Sequence, residues 1–456
     1  MSTLTRFVRL AARRALLPIL LAVLSTHAFA RSESLDLKST WAVVAGVLEW
    51  SDPGLGSFPK KNRKDKELFE KLGALGVPAN QRTLLLDSQA TAGAIEKALT
   101  EAIAKAPADA TLIFYFAGHG VKDQSGQIIF TSSETRLDKL DSTGLNLAKL
   151  GKLLDRFKGK RLILLADCCY SGGLVDVAAT LRAKRPVVAL TSAEASNIST
   201  GNWTFSQTII DGVSGRSLFD RDTDGALTLT ELADEVKDAM RHRESQRYGY
   251  ANHGVPDDLV IAASRVNPDV DGRDGASSGE LKRRGWVKAP RTDAGKHKGK
   301  AIARILTLEK GEGRKAGGKA LVEFYDYSDA TRTWVPLTDL EPITLQTWPV
   351  GTTLDVTWQG QVYQAKVLKL DDGFMYITYP GYDARWDEWI SAPRVVGTSS
   401  AAGTPSTGAK KKAKVEWKGQ WYDAVVNSEE DGKYCISYVG YTSQWDECVG
   451  KKRIRF

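Results

Sequence analysis

Between Trp41 and Ala263 short apolar runs alternate with amphipathic helical stretches, and few architectures accommodate that order. Strands are expected at 41–48, 82–86, 110–117, 161–166, 186–191 and 258–262, and helices at 65–75, 92–105, 146–157 and 230–241. The pattern specifies an α/β fold, a mainly parallel sheet flanked by helices. Several strand runs are nearly continuous hydrophobics, as strands buried on both faces should be.

A polar, Gly-rich stretch at 266–284 reads as a linker, and beyond it the chain turns rich in Trp and Tyr. There Val356, Trp358, Gly360, Tyr363, Tyr379, Tyr382, Trp386, Asp387, Glu388 and Arg394 recur as Val415, Trp417, Gly419, Tyr422, Tyr438, Tyr441, Trp445, Asp446, Glu447 and Arg453 at a constant offset of 59. A looser earlier copy runs over about 285–342. Repeats of this size, built from about five short strands, imply small all-β barrels. The expected organisation is therefore 31–265 for the α/β domain, a linker at 266–284, barrels at 285–345 and 346–397, a second linker at 398–412 and a last barrel at 413–456.

The first 30 residues have the layout of a secretory signal: Arg6, Arg9, Arg13 and Arg14, an apolar run over 15–24, then Ala28-Phe29-Ala30 as the cleavage site. An export destination, periplasmic or secreted, follows, with no transmembrane span after signal removal, because the apolar run is about half of the ~20 residues a bilayer requires. Disulfides can persist there. The net charge of +8 over 456 residues is too dilute to argue for a nucleic-acid partner.

Two strand ends carry reactive side chains. One run is Leu112-Ile113-Phe114-Tyr115-Phe116-Ala117-Gly118-His119-Gly120, the other Leu162-Ile163-Leu164-Leu165-Ala166-Asp167-Cys168-Cys169-Tyr170-Ser171-Gly172. In open parallel sheets ligands sit beyond the carboxyl ends of the strands, so such ends can bring an imidazole and a thiol together over a substrate. Neutral imidazole can take the thiol proton, and the resulting thiolate attacks a peptide carbonyl. Flanking glycines leave backbone N–H groups open to a developing oxyanion.

These two motifs resemble the caspase-like superfamily, and within it the metacaspase and bacterial caspase-like branch. The resemblance covers about 41–263 and implies a caspase-like sandwich. It implies His119 as general base and acid, Cys169 as nucleophile, and the N–H groups of Gly120 and Cys169 as oxyanion donors. It also implies Asp167, with Asp65, as acidic pocket residues, and so a protein or peptide substrate cleaved after Arg or Lys. Tyr170 departs from the family, which commonly has His after the nucleophile. The competing function class is an inactive caspase-like scaffold whose barrels bind a cationic peptide or cell-envelope ligand.

Further signals lie outside that pair. Asp220-Arg221-Asp222-Thr223-Asp224-Gly225-Ala226-Leu227-Thr228-Leu229-Thr230-Glu231 fits a twelve-residue calcium loop. Its ligands would be Asp220, Asp222, Asp224, Ala226, Thr228 and Glu231, and Ca2+ there would be structural or regulatory, since the chemistry itself calls for no cofactor. The two close repeats resemble Tudor, chromo-barrel and agenet-type modules of the SH3-like kind, which implies aromatic cages for cations. Candidate walls are Tyr379, Tyr382 and Trp386, with Tyr438, Tyr441 and Trp445 in the last copy. Cys435 and Cys448 replace Tyr376 and Trp389 of the preceding copy, so a hairpin would set them opposite each other as a disulfide.

Overall fold

The strand-like runs of the first half assemble one six-stranded sheet whose two faces bury separate apolar cores. This computed structural model describes residues 32–197, 199, 201–222, 224–264, 281–291, 299–309, 317–324, 333–358, 361–399, 412–417, 420–430, 433–438 and 447–456. The signal-like segment lies outside the described residues. Among the described residues no helix is long and apolar enough to cross a membrane.

In chain order the first half contains β1 (Thr40–Gly46), α1 (Lys64–Leu75), β2 (Arg82–Leu86), α2 (Ala92–Lys105), β3 (Thr111–Ala117), β4 (Gly120–Lys122), β5 (Ile128–Phe130), α3 (Leu140–Thr143), β6 (Leu145–Asn146), α4 (Leu147–Leu154), β7 (Arg161–Asp167), α5 (Gly173–Leu181), β8 (Val187–Thr191), α6 (Thr204–Val213), β9 (Ala226–Thr228), α7 (Leu229–Glu244), β10 (Gly249–His253) and β11 (Val260–Ala263). The main sheet runs β10-β8-β7-β3-β1-β2, parallel except for β10 at one edge. Central β3 and β7 are buried at every position, which accounts for their unbroken apolar sequence.

Two expectations fail at the sheet's edge. The run at 258–262 does not join the main sheet; β11 pairs with β9 instead. The sixth strand is β10, whose Gly-Tyr-Ala-Asn-His sequence alternates too weakly to be read as a strand and is held by β8. Helix α5 has no counterpart among the expected helices, because the strand-end motif runs straight into it with no side-chain cap at Gly172.

The second half forms three five-stranded antiparallel sheets. They comprise β12 (Trp286–Pro290), β13 (Lys300–Glu309), β14 (Lys319–Phe324), β15 (Thr333–Pro336) and β16 (Glu341–Pro342); then β17 (Thr353–Trp358), β18 (Gln361–Asp371), β19 (Phe374–Thr378), β20 (Glu388–Ile390) and β21 (Val395–Ser399); then β22 (Lys412–Trp417), β23 (Gln420–Glu430), β24 (Lys433–Tyr438), β25 (Glu447–Gly450) and β26 (Ile454–Arg455). Each has the same order, fourth-third-second-first-fifth strand, so the looser first copy shares the topology of the close pair. In the second and third sheets one polar cluster recurs: Tyr379 donates to Glu388, which pairs with Arg394, and Tyr438 donates to Glu447, which pairs with Arg453.

The first two sheets dock on the α/β domain through α7. Its Arg241, only 2% exposed, pairs with Asp238 and reaches Asp371 of the second sheet, with its guanidinium over Phe374 and Trp389. Arg284 and Arg304 of the first sheet converge on Asp238 from the other side. His242 lies against Phe374 and Trp286, and burial together with nearby arginines holds its pKa far below the usual imidazole value. Without Arg241, Asp238 keeps Arg284 and Arg304 and Asp371 keeps Lys237, so the loss falls on the guanidinium's own hydrogen bonds and packing. Arg241→Met is expected to lower stability by about 1–3 kcal/mol, read as an earlier urea midpoint in tryptophan fluorescence.

Candidate active site

The register of β3 against β7 levels the two strand ends. Ala117 lies opposite Asp167, so His119 and Cys169 each follow a paired position by two residues. The Gly118 N–H donates back to the Asp167 carbonyl at 3.3 Å, which keeps the two exits side by side. Gly120 is required by the contact that follows: a Cβ there would lie 1.8 Å from the Cys169 carbonyl oxygen. Gly172 has a matching reason, since a Cβ would meet the Ala195 nitrogen at 2.2 Å. The chain after Cys169 turns sharply, with Tyr170 at φ +54°, a left-handed conformation uncommon for a bulky residue and often found at functional turns.

The His119 ring is sandwiched between Trp50 and Phe58, with centroids 4.4 and 4.5 Å away, and its Nε2 lies 2.7 Å from the Gly56 carbonyl. A carbonyl only accepts, so Nε2 carries the proton and Nδ1 is left as the basic nitrogen. Burial lowers the His119 pKa, partly offset by the Gly56 bond. The imidazole is thus neutral at physiological pH and able to take a proton. Gly56 could not be found from sequence, because a backbone carbonyl leaves no residue-type signature.

The Cys169 sulfur accepts from the Ser199 N–H at 3.2 Å, and its own N–H also favours the thiolate. Burial nevertheless dominates and pushes the thiol up to about 11. Cys168 is a second free thiol, 3% exposed, with its pKa raised further by burial. Of the proposed oxyanion donors, Gly120 abuts the Cys169 backbone and Cys169 supplies its own N–H.

Beside the sulfur lies a cavity of about 580 Å³, lined by Gly118, Asp167, Cys168, Cys169, Ser199 and Trp203 and rimmed by Lys61, Lys64 and Arg243. Phe58 also lines it; His119, behind Phe58, does not. Asp167 accepts from the Ser206 hydroxyl at 2.5 Å and the Ser206 N–H at 3.2 Å, while burial raises its pKa to about 6. Asp65 is a correction. It is fully buried in a bidentate pair with Arg63, at 2.8 and 2.7 Å, and is absent from the cavity wall. Arg63 is held in turn by Asp87, so Asp65 braces the start of α1 rather than offering a charge to a ligand.

The acidic loop before α7 brings carboxylate oxygens of Asp220, Asp222 and Asp224 within 4.8 Å of one another, a spacing compatible with a shared ion at about 2.3–2.6 Å. The carbonyl-bearing Ala226 starts β9. Thr228 and Glu231 are engaged in the capping box of α7, so the twelfth-position carboxylate would have to leave that cap to ligate.

In the second small sheet Trp358, Tyr363, Tyr379, Tyr382 and Trp386 stand 6.0–6.3 Å apart at 68–79°, walls set nearly perpendicular. Trp358 and Tyr363 pack with the three residues expected from sequence; Tyr379, at 8% exposure, belongs to the sheet's core, and Tyr363, Tyr382 and Trp386 lie against that core. The third sheet repeats the arrangement in Trp417, Tyr422 and Tyr438; Tyr441 and Trp445 lie outside the described residues. Cys435 is directly opposite Cys448 in the β24–β25 register, where the preceding copy has Tyr376 opposite Trp389; the two cysteine side chains lie outside the described ones.

A six-stranded α/β sandwich with a histidine and a cysteine at adjacent strand exits defines a caspase-fold domain, consistent with a cysteine peptidase. Residues 63–267 match the caspase domain family. Among solved structures, protein GSU0716 from Geobacter sulfurreducens aligns at 14% identity and a TM-score of 0.36, covering 49% of this chain and 99% of its own. Caspase-1 from Spodoptera frugiperda aligns at 13% identity and a TM-score of 0.36, covering 51% of this chain and 93% of its own. No curated protein matches the chain.

At rest both groups are thus uncharged, the Cys169 thiol and the His119 imidazole alike. Alkylation of Cys169 by iodoacetamide, followed by peptide mass mapping, is expected to accelerate with pH toward an inflection near 11 and not near the usual thiol value.

Proposed function

We propose that the protein is an exported cysteine-type endopeptidase that cleaves after Arg or Lys. What carries this reading is the level placement of His119 and Cys169 beyond the Ala117–Asp167 pair, with the Gly56 carbonyl fixing the imidazole tautomer. The Cys169 sulfur attacks the scissile carbonyl as His119 Nδ1 takes the thiol proton. The tetrahedral oxyanion is met by the N–H groups of Gly120 and Cys169. Collapse expels the amine, protonated by His119, and leaves a thioester. Water then attacks the thioester, giving a proton to His119, and the acid product departs as the thiol reforms.

Asp167 alone supplies the acidic pocket charge, since Asp65 is committed to Arg63. A buried carboxylate pairs well with a guanidinium or ammonium, which offsets its desolvation. Because its pKa lies near 6, Asp167 is charged above that pH and neutral below it. Mature protein is expected to hydrolyse Arg- and Lys-terminated reporters and spare Asp-terminated ones, with KM for the Arg reporter rising as pH falls through 6. Cys169→Ala and His119→Ala are each expected to lose at least about 10³-fold in kcat/KM. Variants equal to the parent, or no cleavage under reducing conditions with calcium present, would leave the scaffold reading standing.

In the same reading the small sheets are Tudor- or SH3-like modules that recruit a cationic peptide or envelope ligand through their aromatic walls. Ca2+ braces the loop before α7, held by Asp220, Asp222, Asp224 and the Ala226 carbonyl, with Thr228 and Glu231 completing the site once released from the cap. Export permits a Cys435–Cys448 disulfide, supported by their opposed register. A thiol titration of denatured, unreduced mature protein is expected to find two free thiols, those of Cys168 and Cys169; four would refute the bridge.

A further inference from the structure

The loop after β8 forms one side of the nucleophile's environment. Ser199 holds the Cys169 sulfur, and the Asn197 carbonyl accepts the Tyr170 N–H at 2.8 Å. That loop is gripped from outside by Arg247, three residues past the end of α7 and 15% exposed. Its guanidinium pairs with Glu194 at 3.0 Å and donates to Ser196 at 2.9 Å and to Asn197. The same guanidinium lies over the Tyr376 ring of the second small sheet at 5.1 Å and donates to the Ala384 carbonyl at 3.3 Å. Ala384 begins the short turn of helix that carries Trp386, one of the aromatic walls.

We propose that Arg247 is a positioning residue for Cys169, through which the second small sheet buttresses the segment 194–197 next to Ser199 and so forms part of the active-site support. The proposal rests on the peptidase reading for its consequence but not for its geometry. A planar fork that satisfies a carboxylate, a hydroxyl and two amide oxygens while stacked on an aromatic ring holds one orientation, and Lys cannot reproduce it. Loss of the fork frees the loop that contacts the sulfur, so thiol reactivity changes even though Arg247 does not touch the substrate. The first sheet reaches the cavity rim by a different route, through Glu323 at 3.8 Å from Arg243.

The test is the alkylation rate of Cys169 against pH in the full mature chain, measured by mass mapping for the parent, Arg247→Ala, Arg247→Lys and Tyr376→Leu, with thermal melts in parallel. Expected is a change of about threefold to tenfold in Arg247→Ala, a smaller one in Arg247→Lys, and for Tyr376→Leu an effect that vanishes in the Arg247→Ala background. Unchanged rate and inflection in folded Arg247→Ala overturn the proposal. If that variant does not fold, unchanged reactivity in both Arg247→Lys and Tyr376→Leu overturns it equally. Because alkylation needs no turnover, a parent that cleaves no reporter would sink the peptidase reading and leave this result legible.

Discussion

Everything at the candidate site depends on the parallel pairing of β3 with β7. In-register pairing makes both strands stop at the same height, which converts two motifs separated in sequence by an entire βαβ crossover into neighbours. The close backbone approach at Gly120 then brings the chain beyond His119 against Cys169, and only glycine fits there. A side chain at that position would push the two exits apart.

The second organising element is α7. Its N-terminal end is capped within the acidic loop by Thr228 and Glu231, and its C-terminal half carries the buried arginine that draws in the second small sheet. Such a charge-rich contact contributes less net stability than an apolar one would, because the desolvation of each ion opposes the pairing. It does set orientation, since a guanidinium with fixed hydrogen-bond directions accepts few arrangements. The second small sheet, and through Arg304 the first, are thereby placed against the α/β domain.

Electrostatics at the candidate site follow from burial more than from neighbouring charge. Asp167, Cys168, Cys169 and His119 all shift toward their neutral forms, with desolvation the largest cause in each case. A site tuned this way keeps its thiol protonated at rest, which also slows its oxidation, since oxidants attack the thiolate.

Strand and helix alternation, the two reactive strand ends and the repeated small sheets are legible in the amino-acid order alone, because periodicity and motif spacing are properties of nearby residues. Even the Cys435–Cys448 opposition was readable, since an ungapped repeat carries one copy's register into the other. Asp65, Gly56, β10 and Arg247 were settled only by tertiary structure. Asp65 has the place of a pocket acid in the sequence but is taken by Arg63 in the fold, and Gly56 contributes a carbonyl that every residue possesses. β10 is a strand because β8 offers it an edge, and Arg247 acquires its role because two distant surfaces meet across it. In each of these the deciding partner is remote in sequence, and which surfaces meet is fixed by packing and not by local pattern.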